Sequence, residues 1–207
     1  MSASRGMPLP MLHPAPSVEA YCTWDDFIAL EDDDLRELID GQLVHLEEPT
    51  WRHRRIVTEL GMELLGWCDA GHGGYAIGSG FKLRVSDSCG VMPDVQLYRR
   101  GNEVSRDQND GLVRGHPDLV VEISLPESRR HDRVRKLRWY MQLGVPEYWI
   151  IDPEAETLEG LVLRSDDASP TGGYQGFYAI ATALRGDDIF RPDTFEGLAI
   201  PLAKLWA

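Results

Sequence analysis

Three residues of this 207-residue chain stand where a structural role alone is hard to supply. Asp94 opens an apolar run in Met92-Pro93-Asp94-Val95. Glu122 lies inside Val120-Val121-Glu122-Ile123-Ser124, a segment with the composition of a buried strand. A carboxylate in such a place is costly unless a cation sits nearby or it takes up a proton. Lys136 belongs to a basic stretch that begins a few residues later and includes Arg129, Arg130, Arg133, Arg135 and Arg138. Two carboxylates and one ammonium around a common point suit phosphodiester hydrolysis. Asp94 and Glu122 supply hard oxygen ligands for Mg²⁺ or Mn²⁺, and the main-chain carbonyl of Ile123 could add another. A cation held there polarises a phosphoryl oxygen and acidifies a bound water. Lys136 can orient that water or stabilise charge developing on the phosphate.

The elements that must position these groups follow from periodicity and turn residues. Thr23 is the expected cap of a helix, with Asp26 three residues on, and the acidic run from Glu31 to Asp34 ends it. Asp40-Gly41 marks a hairpin within Leu35 to Glu47. Ile56, Leu60, Leu64 and Trp67 recur at helical spacing, predicting a helix from Trp51 to Asp69 closed by the glycines between Gly71 and Gly74. Strands are expected at Gly74 to Ile77, Gly80 to Val85 and Pro93 to Arg99. Residues 100–115 read as a surface loop. Asp118 to Ser124 reads as a buried strand, and Ser128 to Leu143 as a basic helix stopped by Gly144 and Pro146. In that helix Val134, Leu137 and Met141 should pack on the sheet, with Arg129, Arg133, Lys136 and Tyr140 along a neighbouring stripe. Tyr148 to Ile151, Leu158 to Arg164 and Gly173 to Ile180 complete the strands, the last at or near an edge. The mixed order predicts an α/β fold, a mixed central sheet flanked by helices. A single domain over 21–207 is expected behind a Pro-rich arm of residues 1–20.

Composition narrows the function classes. The formal charge of −13 argues against sequence-independent coating of nucleic acid, which is driven by Lys and Arg on phosphate. It leaves room for a nuclease with a local basic patch. Cys22, Cys68 and Cys89 form neither a disulfide framework nor a zinc site, and fit reduced thiols in the cytoplasm. The six histidines are scattered, so zinc is not expected. No run approaches the roughly 20 apolar residues of a membrane helix. The N-terminus does not read as a secretory signal. His53 is expected to cap or pack, and Tyr140 to be a half-buried aromatic.

Several segments together carry a family resemblance. They are Glu37 to Gly41 (ELIDG), Pro93 to Val95 (PDV), Pro117 to Ile123 (PDLVVEI), Asp132, Lys136 to Tyr140 (KLRWY) and Gly144 to Pro153 (GVPEYWIIDP). In this order they resemble the bacterial Uma-type endonucleases of the PD-(D/E)XK restriction-endonuclease-like superfamily, over about residues 20 to 200. The resemblance implies a restriction-endonuclease-like core, a divalent metal and a DNA substrate. It implies Asp94 as the motif aspartate, Glu122 as the following acid and Glu37 as an additional acid. The superfamily places Lys two residues after that acid, where this chain has Ser124, so the resemblance assigns the role to Lys136 on the next helix. Leu125-Pro126-Glu127-Ser128 stands where the family commonly has a Ser-Pro-Ser turn. Nucleases of this superfamily often cut as dimers, so a homodimer is expected. Two other classes stay open: a non-catalytic binding protein on the same fold, and a phosphoesterase with a small substrate.

Overall fold

A computed structural model describes residues 20–31, 33–102, 105–106, 113–125, 131–165 and 176–207. The arm up to residue 19, Asp32, Pro126 to Arg130 and residues 173–175 lie outside the described residues, and with them the expectations placed there.

The first helix, α1 (Trp24–Ile28), is short because its cap is strong and its continuation is weak. Thr23 and Asp26 form the reciprocal capping box. Strands β1 (Arg36–Ile39) and β2 (Gln42–His45) then pair antiparallel around Asp40-Gly41. Both turn residues have positive φ, 51° and 80°, the geometry that Asp-Gly supports. A side chain at Gly41 would also collide with the Tyr21 ring.

Helix α2 (Trp51–Trp67) is capped by Thr50, whose hydroxyl accepts from the His53 N–H at 3.2 Å. Ile56, Leu60, Leu64 and Trp67 are buried, as their spacing predicts. The helix widens into a π turn (Cys68–His72) and stops at Gly73, with φ 70°.

The remaining strands are β3 (Gly74–Gly78), β4 (Leu83–Ser86), β5 (Cys89–Val91), β6 (Val95–Arg99), β7 (Ser105–Arg106) and β8 (Val113–Arg114). They continue with β9 (Leu119–Ile123), β10 (Glu147–Asp152), β11 (Thr157–Ser165), β12 (Gly176–Arg185), β13 (Ile189–Phe190) and β14 (Ile200–Pro201). A second π turn (Asp132–Lys136) leads into α3 (Leu137–Leu143), and α4 (Ala203–Trp206) closes the chain.

The central sheet has six strands in the order β12-β11-β10-β9-β6-β3. β9 and β10 run parallel, joined by the segment that carries α3, and the other neighbours are antiparallel. Every residue of β9 and β10 is buried, as expected of parallel strands covered on both faces. On one face Val121, Ile123, Trp149 and Ile151 pack against α2 and the C-terminal segment. On the other, Val120, Tyr148 and Ile150 pack with Tyr140, flanked by Leu137. A four-stranded sheet, β2-β1-β5-β4, stands beside it.

Several expectations are corrected. Val134 does not pack on the sheet and is 45% exposed. The π turn fits an extra residue into that part of the helix, so the inward stripe moves to Lys136 and Tyr140. The stretch 100–115 is not all loop, since β7 and β8 pair. Strand β4 begins at Leu83, not Gly80. The last long strand starts at Gly176 and runs on to Arg185, at the sheet edge as expected.

Candidate active site

Sheet register brings the two acids together. Val95 of β6 lies opposite Val121 of β9 in an antiparallel ladder, so one further step sets Asp94 opposite Glu122. Asp94 sits just outside β6 and closes the ladder with its side chain: the Ile123 N–H donates to Asp94 Oδ2 at 2.7 Å. That bond fixes the carboxylate beside the end of β9.

Lys136 reaches the same place from the helix that follows β9. Its Nζ lies 3.0 Å from Glu122 Oε1 and 3.1 Å from Glu37 Oε1. All three side chains are at most 5% exposed. Glu37 arrives on β1 and is held by the Met92 N–H, which donates to its Oε1 at 2.9 Å. Its other oxygen, Oε2, is buried and accepts no hydrogen bond among the described residues, with His131 Nε2 3.9 Å away. The Tyr140 hydroxyl donates to Glu122 Oε1. Burial, then the Glu122 charge, pushes the Tyr140 phenol well above its ordinary value, so it remains a donor.

Two further residues complete the picture. His53 is buried, and its Nε2 stands 3.0 Å from Asp94 Oδ1. Its Nδ1 has no hydrogen-bond partner among the described residues. Ser79 Oγ lies 3.4 Å from the same Asp94 oxygen. A cavity of about 110 Å³ opens here, bordered by His53, Asp94, Glu122, Ile123 and Lys136. Glu37 does not line it and stands behind Lys136 instead.

The sequence pattern named Asp94, Glu122, Ile123, Lys136 and Glu37, and the fold brings all five into one neighbourhood. It separates Lys136 from Arg133, another basic residue of the same helical stripe. Arg133 turns outward to a paired contact with Glu159 at 2.6 and 3.0 Å, and Arg129 is outside the described residues. The place of His53 beside Asp94 was not legible. Its position three residues after a Thr cap signals a helix start, and nothing local says which strand that start faces. Tyr140 is fully buried rather than half-buried.

The donor set fits a hard divalent cation. Glu37, Asp94 and Glu122 bring three carboxyl groups beside the single amine of Lys136 and the His53 ring, in a poorly solvated place. Oxygen donors are what Mg²⁺ or Mn²⁺ prefers. Among the described residues no three His, Cys, Asp or Glu side chains converge as a ready-made metal cluster. The expected set uses two carboxylates and a main-chain carbonyl.

The family Uma2, described as putative restriction endonuclease, matches residues 24–203, so the chain belongs to that family. Its fold is similar to that of a protein solved from Anabaena variabilis, described as a putative nuclease belonging to DUF820. The two share 18% identity and a TM-score of 0.65, over 89% of this chain and 97% of that one. No curated protein matches. No helix among the described residues is long and apolar enough to cross a membrane.

Proposed function

We propose that this protein is a Mg²⁺-dependent endonuclease that hydrolyses phosphodiester bonds in DNA, with Mn²⁺ as a possible substitute. The observation that carries the reading is the buried group of Glu37, Glu122 and Lys136 set beside Asp94 at one cavity. Asp94, Glu122 and the Ile123 carbonyl would hold the cation. When bound, it supplies Lewis-acid polarisation of the phosphate and an acidified water. Lys136 is aimed by Glu37, 3.1 Å away, and stabilises negative charge developing on the phosphoryl oxygens. Tyr140 holds Glu122 in position through its hydroxyl. His53 holds Asp94 from the other side.

The cavity is small, about 110 Å³, against roughly 300–1,000 Å³ for sites that enclose drug-sized ligands. That favours one phosphate of a polymer lying across the opening over an enclosed small diester. The family description favours DNA. A homodimer, cutting both strands, and a cytoplasmic setting for the three free cysteines belong to the same proposal.

A second reading is a non-catalytic binding protein on this fold. It is favoured by the Lys136 ammonium already lying against two carboxylates. Incubation of supercoiled plasmid with Mg²⁺ separates the two. The parent should nick it, EDTA should abolish nicking, and Asp94→Asn or Glu122→Gln should lose at least about 100-fold in rate, a typical loss for one such group. Equal nicking by the variants would overturn the assignment.

A further inference from the structure

Another buried acid lies outside this site and is used by nothing described above. Glu147 starts β10 and pairs with Leu119, at the opposite end of the ladder from Ile150 and Glu122. Glu147 and Trp149 alternate on the face covered by α2 and the C-terminal segment, whereas Tyr148 and Ile150 face the Glu122 side. Glu147 is 3% exposed. Its Oε2 accepts from the Trp149 indole N–H at 2.7 Å. No described residue donates to its Oε1. The side chain borders a cavity of about 200 Å³, whose walls include Trp149, Phe190, Thr182, Asp193 and Arg164. The Trp149 and Phe190 rings meet edge to face, with centroids 4.7 Å apart.

We propose that this cavity binds a small alkylammonium group, with Glu147 as its counter-ion, Asp193 as a second carboxylate and Trp149 and Phe190 as an aromatic wall. A carboxylate with one donor in a poorly solvated place is stabilised by an added cation, and a primary ammonium brings three N–H donors. Aromatic rings beside it favour a cation further. Burial pushes the Glu147 carboxyl up to about 7, and the neighbouring Asp193 charge pushes it the same way. Among the described residues no Lys or Arg forms an ion pair with Glu147. Arg99, which acts on Glu147 at a distance, has its guanidinium over the rings of Trp67 and Phe195 at 5.8 and 5.2 Å. Arg164 is exposed and forms no ion pair with Glu147 among the described residues. A volume below the roughly 300 Å³ of drug-sized sites restricts the occupant to a short amine, free or at the tip of a lysyl side chain.

Calorimetric titration of n-butylammonium chloride into the full chain near pH 8 tests this, with n-butanol as the neutral counterpart. The ammonium should bind at least about tenfold more tightly than the alcohol, and Glu147→Gln should lose at least about tenfold while keeping an acceptor for Trp149. The Trp149 indole N–H resonance should move during the titration. Affinity should fall toward pH 6 as Glu147 takes up a proton; the other charged groups about it are Asp193, Arg164 and Arg99. Nα-acetyl-lysinamide binding as well as butylammonium would identify a lysyl side chain of a partner, and butylammonium binding alone a free amine. Equal binding of alcohol and ammonium, unchanged affinity in Glu147→Gln, or neither heat nor an indole shift at millimolar ligand would overturn the proposal. If Glu147→Gln does not fold, Asp193→Asn, at an exposed position, decides: severalfold weaker binding supports it and no change overturns it.

Discussion

Replacing Lys136 with methionine keeps an unbranched apolar stem and removes the one ammonium between two buried acids. Nζ lies 3.1 Å from Glu37 Oε1 and 3.0 Å from Glu122 Oε1, with none of the three side chains more than 5% exposed. Breaking a buried ion pair by removing one partner costs about 3–5 kcal/mol, because the other charge stays behind. Two carboxylates are stranded here, but the Met92 N–H and the Tyr140 hydroxyl still donate to them. That places the expected loss near the lower end, about 3 kcal/mol. In a domain of this size each kcal/mol lowers Tm by about 2–4 °C, so Tm should fall by roughly 6–12 °C. Urea unfolding followed by tryptophan fluorescence measures the loss near pH 8. The double variant Glu122→Gln/Lys136→Met should be more stable than the sum of the singles predicts, by at least about 1 kcal/mol. A single-variant loss under about 1 kcal/mol, or strict additivity in the double variant, would refute the reasoning.

Three more outcomes follow from other parts of the fold. The Glu147 carboxyl is raised from 4.5 to about 7 in the folded protein, so its contribution is fully present below pH 4.5 and is lost as pH rises through 7. At 1.4 kcal/mol per pH unit this is about 3–4 kcal/mol, and Glu147→Gln should flatten that part of the stability profile. An unchanged profile in the variant would count against the assignment. Thr50→Ala removes the acceptor for the His53 N–H and should cost about 1 kcal/mol in urea unfolding, with Thr50→Ser restoring most of it. Gly90→Ala should cost about 1–3 kcal/mol by overpacking, since a Cβ there would meet the Phe27 and Trp24 rings at 2.7 Å. No loss on thermal unfolding would mean that the rings give way.

What was legible in the sequence had a local cause. Helix α2 was readable because Ile56, Leu60, Leu64 and Trp67 repeat at one spacing and a Thr cap precedes them. The hairpin at Asp40-Gly41 was readable because few residue pairs tolerate its two positive φ angles. Asp94 and Glu122 stood out because acids interrupt apolar strands. What escaped depends on contacts far apart in sequence or on backbone winding. The pairing of β5 with β1 brings Met92 to Glu37, and nothing within Cys89–Val91 announces a strand. The π turn before α3 moves the buried stripe onto Lys136, which a 3.6-residue period cannot foresee. The short β13, β14 and α4 carry no periodic signal, and the C-terminal segment is ordered by docking on α2.

Calorimetric titration of Mn²⁺ into the parent protein, beside Asp94→Asn and Glu122→Gln, tests the central claim most directly. It needs no knowledge of which DNA is cut. The account predicts one binding event in the parent that both variants weaken by at least about tenfold, with their folds retained by circular dichroism. Binding that both variants leave unchanged would place the cation elsewhere and contradict the assignment of Asp94 and Glu122.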